Sequence, residues 1–500
     1  MKFLGLDIGT GGSRAIVIDE GGKVIASATV EHQPFASPHI GWAEQSPDDW
    51  WRASSEAIRA VLMSDGVSPD EIAAISFSGQ MHGSVLLDEN DKVLRPALLW
   101  CDQRTDQECH EINEKIGETR LIELVSNPAV TGFTLPKLLW VRKHEPDIWQ
   151  QVRSVMLPKD YVRLKLTGVK ACDMADASGT LMLNVRERKW SRELLEQLDL
   201  DAALLPHLFE STEIVAQVSR SGAEATGLIE GTPVGAGAGD NAAGAIGMGI
   251  VSPGTVSATI GTSGVVFVVT EHPTIDLKGR IHSLCHAIPG RWHMTGVTLA
   301  AGQSLKWFKE NLAAGKSYDD LTELAGAIEP GSEGAIWLPY LMGERAPYLD
   351  PNARAAFVGL TASHTLGHMA RAVLEGVAFS LRDSLEVFRE IGAPIGTIRL
   401  GGGGARSKLW RQIQADVYGR SVETIEVDEG AAFGAAILAG VAVGAWPSVD
   451  DACRQVIRVA ERTDPDPYAS EFMERNYQAY KLLYAALKPA MNMITGADDK

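Results

Sequence analysis

Asp240 is the most isolated acid in the sequence. It closes the run Val234-Gly235-Ala236-Gly237-Ala238-Gly239, and no charged residue follows until Glu271. A carboxylate in such apolar surroundings is costly unless it has a partner or a task. One task fits well: accepting a proton from a substrate hydroxyl during phosphoryl transfer, where positioning matters more than basicity. The competing reading is an Asp that caps a helix starting at Asn241. A second acid, Asp7, ends an apolar run and precedes the tip Gly9-Thr10-Gly11-Gly12-Ser13. Glycines there let backbone approach a ligand, and N–H groups and hydroxyls can cradle phosphate oxygens. Asp7 beside that tip could hold Mg²⁺ or its waters. A plain hairpin turn explains the same residues equally well.

The third polar cluster is Gln80-Met81-His82, at the end of an apolar strand-like run. Gln and His offer directed hydrogen bonds of the kind a polyol or sugar needs, with Met81 as an adaptable apolar wall. A satisfied core histidine is the alternative. Other chemistries are excluded. No Gly-Lys-Ser/Thr follows the first tip, so it is not a lysine-bearing P-loop, and no Gly-x-Ser-x-Gly elbow is present. His282 and His286 lack the adjacent Glu of a zincin and are not read as a zinc site.

These residues need particular elements to hold them. Residues 3–18 read as a β-hairpin whose tip carries Thr10, Gly11, Gly12 and Ser13. A faint echo follows at 255–269, again strand, Gly-Thr-rich tip and strand, with Thr262 at its tip. Placed near the midpoint, it suggests two halves of related design, divided near 249–254. Strands alternate with helices, as in 47 onward after Ser46-Pro47, which implies α/β layers. A long buried stripe runs through Leu366, Ala370, Val373, Val377, Leu381, Leu385 and Phe388. The strand 398–400 feeds Gly401-Gly402-Gly403-Gly404, then Ser407 and a helix, a suitable place for a nucleotide's anionic groups or else a flexible turn. Residues 430–444 form a small-residue helix suited to close packing. Residues 104–225 read as an elaboration, and 477–487 as an amphipathic terminal helix.

A formal charge of −18 argues against nucleic acid or an anionic membrane as partner. The apolar fraction of 45% is that of a soluble globular protein. The uncharged stretch 241–270 is too rich in Gly, Ser and Thr for a membrane helix. Five scattered cysteines without a Cys-x-x-Cys pair fit reduced thiols, and the first residues do not read as a secretory signal, so a cytoplasmic location is expected.

Taken in order, several stretches resemble the FGGY family of carbohydrate kinases, most closely its D-xylulose-phosphorylating branch. They are Gly5-Leu6-Asp7-Ile8-Gly9-Thr10, Gly79-Gln80-Met81-His82-Gly83, Leu157-Pro158-Lys159-Asp160-Tyr161 and Gly239-Asp240-Asn241-Ala242-Ala243-Gly244. Gly261-Thr262-Ser263-Gly264, Leu338-Pro339-Tyr340-Leu341, Gly343-Glu344-Arg345 and Gly403-Gly404-Ala405-Arg406-Ser407 continue the series. The resemblance implies an α/β fold of two actin-like, ribonuclease-H-type ATPase domains flanking a catalytic cleft. Residues 1–249 would carry the sugar side and phosphate hairpin, and 250–500 the nucleotide side. It implies ATP and Mg²⁺ as cofactors, and Asp240 as acceptor of the 5-hydroxyl proton of D-xylulose. Met81 and His82, assisted by Gln80 and Asn241, match sugar contacts. Asp7 matches the metal-steering position, and Thr10, Gly11, Gly12 and Ser13 match the phosphate hairpin. Thr262, Gly403, Gly404 and Ser407 match nucleotide contacts. A homodimer is a family-level expectation only. Cys101 and Gln103 depart from the family pattern, in a loop expected on the substrate side. Ribulose or xylitol as substrate, and a non-catalytic actin-like ATPase module, are the competing readings.

Overall fold

The computed structural model describes residues 1–427 and 429–496. The opening hairpin forms as its alternation dictates, with strand Lys2–Ile8 antiparallel to Gly12–Asp19 and the latter to Val24–Glu31. On its other edge Lys2–Ile8 runs parallel to Ile72–Gly79, which is followed by Pro233–Gly235 and Ile214–Gln217. The second half repeats this plan. Val256–Ile260 pairs antiparallel with Gly264–Thr270, and that with Trp292–Thr298. Val256–Ile260 is also parallel to Ile398–Gly402, which precedes Val422–Ile425 and Val459–Thr463. The echo at 255–269 is therefore the opening hairpin of a second seven-stranded sheet with the same order and strand directions, plus one edge strand, His282–Cys285.

All strands of the first sheet precede residue 249, and all strands of the second follow it. The helices do not respect that division. Helix Gly430–Ala442 lies on the first sheet, where Phe433, Ala436 and Ile437 share a core with Phe3, Ile16 and Ile18. Residues 104–225 likewise divide between two roles. Helix Pro158–Thr167 and strand Ile214–Gln217 belong to the first domain's main layers. Helices Asp106–Ile116, Glu118–Val125 and Thr134–His144 enclose a core of their own around Ile112, Leu121 and Leu138. This part of the chain is more than a surface elaboration, because its apolar faces are buried against one another.

The halves meet where helix Asp240–Gly247 crosses Gly430–Ala442. Small residues allow a contact that no side chain would permit. A Cβ on Gly434 would lie 1.8 Å from the Ala243 carbonyl oxygen, and one on Gly247 2.5 Å from that of Gly430. One layer below, a Cβ on Gly5 would lie 2.1 Å from the Ala432 carbonyl oxygen. Backbone thus packs directly on backbone across the molecule. The long helix Leu366–Glu390 buries the expected stripe within the second domain. The terminal helix extends well beyond its sequence-predicted bounds, over Pro467–Thr495, and buries Met473, Tyr477 and Tyr480.

Gly434→Ala is expected to lower unfolding stability by about 2 kcal/mol or more, since an overpacked contact must push two helices apart. Gly244→Ala, on the partner helix but facing an open slot with nothing within 4 Å of its added Cβ, should be neutral or slightly stabilising. Urea denaturation of both variants checks this; equal effects would mean that the crossing is loose.

Candidate active site

Asp240 is the first residue of helix Asp240–Gly247, and the N-cap falls on Gly239, so the acid is not spent as the cap. Strand Ala238–Gly239 pairs with the end of Ile72–Gly79, which itself pairs Ser78 with Asp7. This register brings the two acids into one neighbourhood. Burial pushes the Asp240 carboxyl up to about 7, with the Asp7 charge adding to the rise and the Asn241 backbone N–H opposing it. Burial also raises Asp7, while Ser78 and Arg14 draw it partly back. The Asp7 Oδ1 atom is buried without a hydrogen-bond partner. An orphaned carboxylate oxygen beside a second acid suits a cation that arrives with its own ligands. Among the described residues no group of three or more His, Cys, Asp or Glu forms a metal cage.

Asp240 and Asn241 line two cavities at once. One, of about 260 Å³, is walled by Met81, His82, Trp100, Phe133, His282 and Arg345, among others. The other, of about 180 Å³, is walled by Gly244, Thr259, Gly401, Gly402 and Gly430. The first suits a small polar molecule between aromatic and hydrogen-bonding walls. The second is a glycine-lined slot open to backbone contacts. A wider groove of about 1090 Å³ between Trp190 and His207 includes neither acid, so size alone does not mark the site.

His82 is held unusually firmly. Its backbone φ of 68° lies in the left-handed region, which a non-glycine residue adopts only when its surroundings insist. Its carbonyl accepts from Lys137 Nζ at 2.9 Å and Thr134 Oγ1 at 3.2 Å. Its Nδ1–H donates to the Gly179 carbonyl at 2.5 Å. Burial, with the Lys137 charge, pushes the ring down to about 3, so it is neutral and leaves Nε2 as an acceptor. Met81 is trapped beside it. A Cβ on Gly179 or on Gly239 would come within 2.8 Å of the Met81 side chain. Asn241 Nδ2 donates to Met81 Sδ at 3.4 Å.

Beneath these residues lies a fully buried ionic cluster. Lys159 Nζ is 2.5 Å from Asp160, 2.7 Å from Asp173 and 3.3 Å from Asp176, and Arg163 pairs with Asp160 at 2.9 Å. Burial works against the ammonium, yet the three carboxylates hold Lys159 well above its usual range. The stretch Leu157-Pro158-Lys159-Asp160-Tyr161 therefore acts as scaffold. Lys159 Cβ would lie 3.0 Å from a Cβ on Gly79, and Asp176 Oδ1 3.3 Å from one on Gly239, directly under the turns that carry Gln80 and Asp240.

Several expected contacts face elsewhere. The Ser13 hydroxyl is buried and bonded to His32 and Ser54, each at 2.9 Å, because its strand alternation turns it toward the helix side. Gly12 begins the second strand, where an added Cβ would lie 2.8 Å from the Val30 carbonyl oxygen. The Gln80 amide braces the first tip, accepting from Thr10 Oγ1 at 3.2 Å, and does not line the larger cavity. Gly404 is required by Ile260, whose Cβ would lie 2.6 Å from an added Cβ. Ser407 caps helix Lys408–Tyr418 through the Trp410 N–H. Gly11, Thr262 and Gly403 are exposed at their turns. In the loop around Cys101, Trp100 lines the larger of the two cavities and donates to Thr10 Oγ1 at 3.0 Å. Sequence reasoning missed Phe133, His282, Thr295 and Arg345, although the unassigned Gly343-Glu344-Arg345 stretch was a signal for the last.

Two sheets that repeat one strand order, with Asp240 between a polar cavity and a glycine-lined slot, define a two-domain phosphotransferase. The N-terminal domain model of the FGGY family of carbohydrate kinases matches residues 2–247, and its C-terminal domain model matches residues 256–443. The chain belongs to that family and is a carbohydrate kinase. It is 40% identical to the xylulose kinase of Bacillus subtilis (strain 168), over 98% of each chain. It is also 40% identical to that of Escherichia coli (strain K12), over 98% of this chain and 100% of the other. A crystal structure of a xyloylose kinase from Brucella ovis superimposes with a TM-score of 0.92 at 37% identity, covering 98% of this chain and 100% of that one. No helix among the described residues is long and apolar enough to cross a membrane.

The Asp240 shift carries a stability signature. The unfolded carboxyl releases its proton near its usual value of 3.8, whereas the folded one holds it to about 7. The native state therefore binds more protons between those values, and stability falls as pH rises through that window. Asp240→Asn should be more stable than the parent at pH 8, by no more than about 4 kcal/mol, and the difference should vanish near pH 4. Thermal unfolding of the ligand-free proteins across this range tests it; a constant offset would contradict the assignment.

Proposed function

We propose that the protein transfers the γ-phosphoryl group of ATP to the 5-hydroxyl of D-xylulose, giving D-xylulose 5-phosphate, with Asp240 as general base. The observation that carries this reading is that Asp240 is common to the polar cavity and the glycine-lined slot. A hydroxyl in the first and a terminal phosphate in the second would meet at its carboxylate. The substrate comes from the relatives at 40% identity. A pocket of about 260 Å³ with hydrogen-bond acceptors and donors along its walls suits a five-carbon sugar.

In this reading Met81, His82 and Asn241 hold the sugar on the side of residues 1–249, and Gln80 orders the phosphate hairpin by bracing Thr10. His82 Nε2 accepts a sugar hydroxyl. Thr10, Gly11 and Gly12 offer backbone amides to the phosphates, and Thr262 and Gly403, with Gly401 and Gly402, approach the nucleotide from the side of residues 250–500. Ser13, Gly404 and Ser407 act through the architecture that they hold. The raised Asp240 carboxyl needs little basicity, because a loose phosphoryl transfer transition state asks the base mainly to orient the hydroxyl and take its proton late. Closure of the two halves would exclude water, the competing acceptor.

Asp7 fits a Mg²⁺ site of the kind that uses one carboxylate together with substrate phosphates, on the strength of its orphaned Oδ1. When bound, Mg²⁺ would neutralise phosphate charge and offset the field that Asp7 sets against Asp240.

A panel of D-xylulose, ribulose and xylitol coupled to ADP release tests the reaction. D-xylulose should show the highest kcat/KM, and sugar-independent ATP turnover would overturn the reading. Asp240→Asn should lower kcat by about 10²- to 10⁴-fold with little change in sugar affinity; near-normal turnover would remove Asp240 from its role. His82→Ala should act on KM more than on kcat, and an unchanged KM for every sugar would count against its contact.

A further inference from the structure

The wall of the polar cavity contributed by residues 250–500 carries three polar groups that the proposed reaction has not used. Arg345 lines the cavity, and its guanidinium makes no hydrogen bond or ion pair with any described residue. Its neighbour Glu344 does not serve it. That carboxylate is taken by the Thr298 hydroxyl, by the Leu299 N–H at 3.1 Å, by the Arg345 backbone N–H at 2.7 Å and by Ser380 at 3.3 Å. His282 is 9% exposed and Thr295 3%, and both line the same cavity. They face each other as register partners of adjacent strands. His282 Nδ1 and Thr295 Oγ1 are buried with no partner. Unpaired buried polar atoms are rare in folded proteins, because each forfeits its hydration. Two of them, beside a guanidinium with no protein partner among the described residues, lie on one cavity wall and leave hydrogen-bonding capacity for a ligand.

The position of this wall says which part of a ligand it meets. Arg345, His82 and His282 line the polar cavity and not the glycine-lined slot, whereas Asp240 stands where the two cavities meet. The guanidinium therefore belongs to the histidine end of the cavity, away from the base. A 2-ketopentose closes its furanose ring through its own 5-hydroxyl. A molecule that presents that hydroxyl for phosphorylation is consequently open-chain, with a bare carbonyl towards its other end. A carbonyl oxygen only accepts hydrogen bonds, and a guanidinium only donates them.

Resting on the reaction proposed above, we propose that Arg345, with His282 and Thr295, forms a subsite that recognises the carbonyl end of an open-chain 2-ketose and sets the preference for ketoses over polyols. The sugar is then gripped by both halves of the molecule, and filling this subsite helps to draw them together. Arg345 is a specificity-determining residue and takes no part in proton transfer.

The test compares D-xylulose with xylitol, which has the same carbon chain and lacks the carbonyl. Binding of each sugar without ATP is read from tryptophan fluorescence, since Trp100 lines the cavity, and kcat and KM are measured alongside. Arg345→Met should weaken D-xylulose binding by about 10- to 100-fold, the range of a lost charge-assisted hydrogen bond, while xylitol binding changes by less than about threefold. Arg345→Lys should recover part of the loss, and Thr295→Val should shift the ketose-to-polyol ratio in the same direction by a smaller factor. Loss of both sugars in equal proportion, or of neither, in folded Arg345→Met and Thr295→Val overturns the subsite. If the unmodified protein binds no pentulose at all, it is the proposed reaction that fails instead.

Discussion

The crossing of helices Asp240–Gly247 and Gly430–Ala442 is the contact on which the remainder of the site depends. Gly434 and Gly247 let one helix press its backbone on the other, and Gly5 lets the same helix lie on the first strand. Asp7 lies near the end of that strand and Asp240 begins one of those helices, so the spacing between the two acids is set by backbone-to-backbone contact. Side chains between the helices could relax and blur this distance. Interiors packed at this density transmit displacement with little loss. The field of Asp7 on Asp240 is thus a property of the architecture as a whole.

The two sheets repeat one topology, yet neither half is self-contained. Each opens with an antiparallel hairpin, adds a third antiparallel strand on one side and parallel strands on the other. The parallel strands carry their C-terminal ends to the cleft, where open α/β sheets bind ligands. Helix Gly430–Ala442, from the end of the chain, covers the first sheet, while Ala245 and Met248 of the other helix pack with Phe267 and Val269 of the second. Such an exchange ties the halves together at their base. Further out, Asn127 exchanges hydrogen bonds of 2.8 and 3.0 Å with Ser283 on the edge strand that carries His282. The helices of 104–225 therefore also hold one wall of the polar cavity in place.

Rigidity is concentrated around His82. A left-handed backbone, a committed Nδ1–H, two donors on its carbonyl and a glycine at its back leave one ring position and one free acceptor. The opposite wall presents the unpaired His282 Nδ1 and Thr295 Oγ1 instead. One wall is satisfied by the protein and the other is left for the ligand, which makes the cavity's hydrogen-bonding demand directional.

Much of this was legible in the sequence, for a physical reason. Strand alternation, glycine-rich tips and caps are local, so the two hairpins, the α/β layering, the long helix and the isolation of Asp7 and Asp240 follow from residue types at short spacing. Alternation says that Ser13 points to a different face from its neighbours, but not that His32 and Ser54 wait there. Glycine runs announce close approach without saying to what: Gly404 answers to Ile260, and Gly434 to Ala243. Gln80 and Ser407 carry hydrogen-bonding groups whose partners turned out to be the chain itself. His282, Thr295 and Arg345 join His82 only because an edge strand, its neighbour and a distant loop of the second half close over the first. Sequence by itself determined which groups could do chemistry and what elements bear them. Which of those groups face one cavity, and which are consumed in holding it, was decided by long-range register and helix crossing, because these depend on contacts between residues hundreds of positions apart.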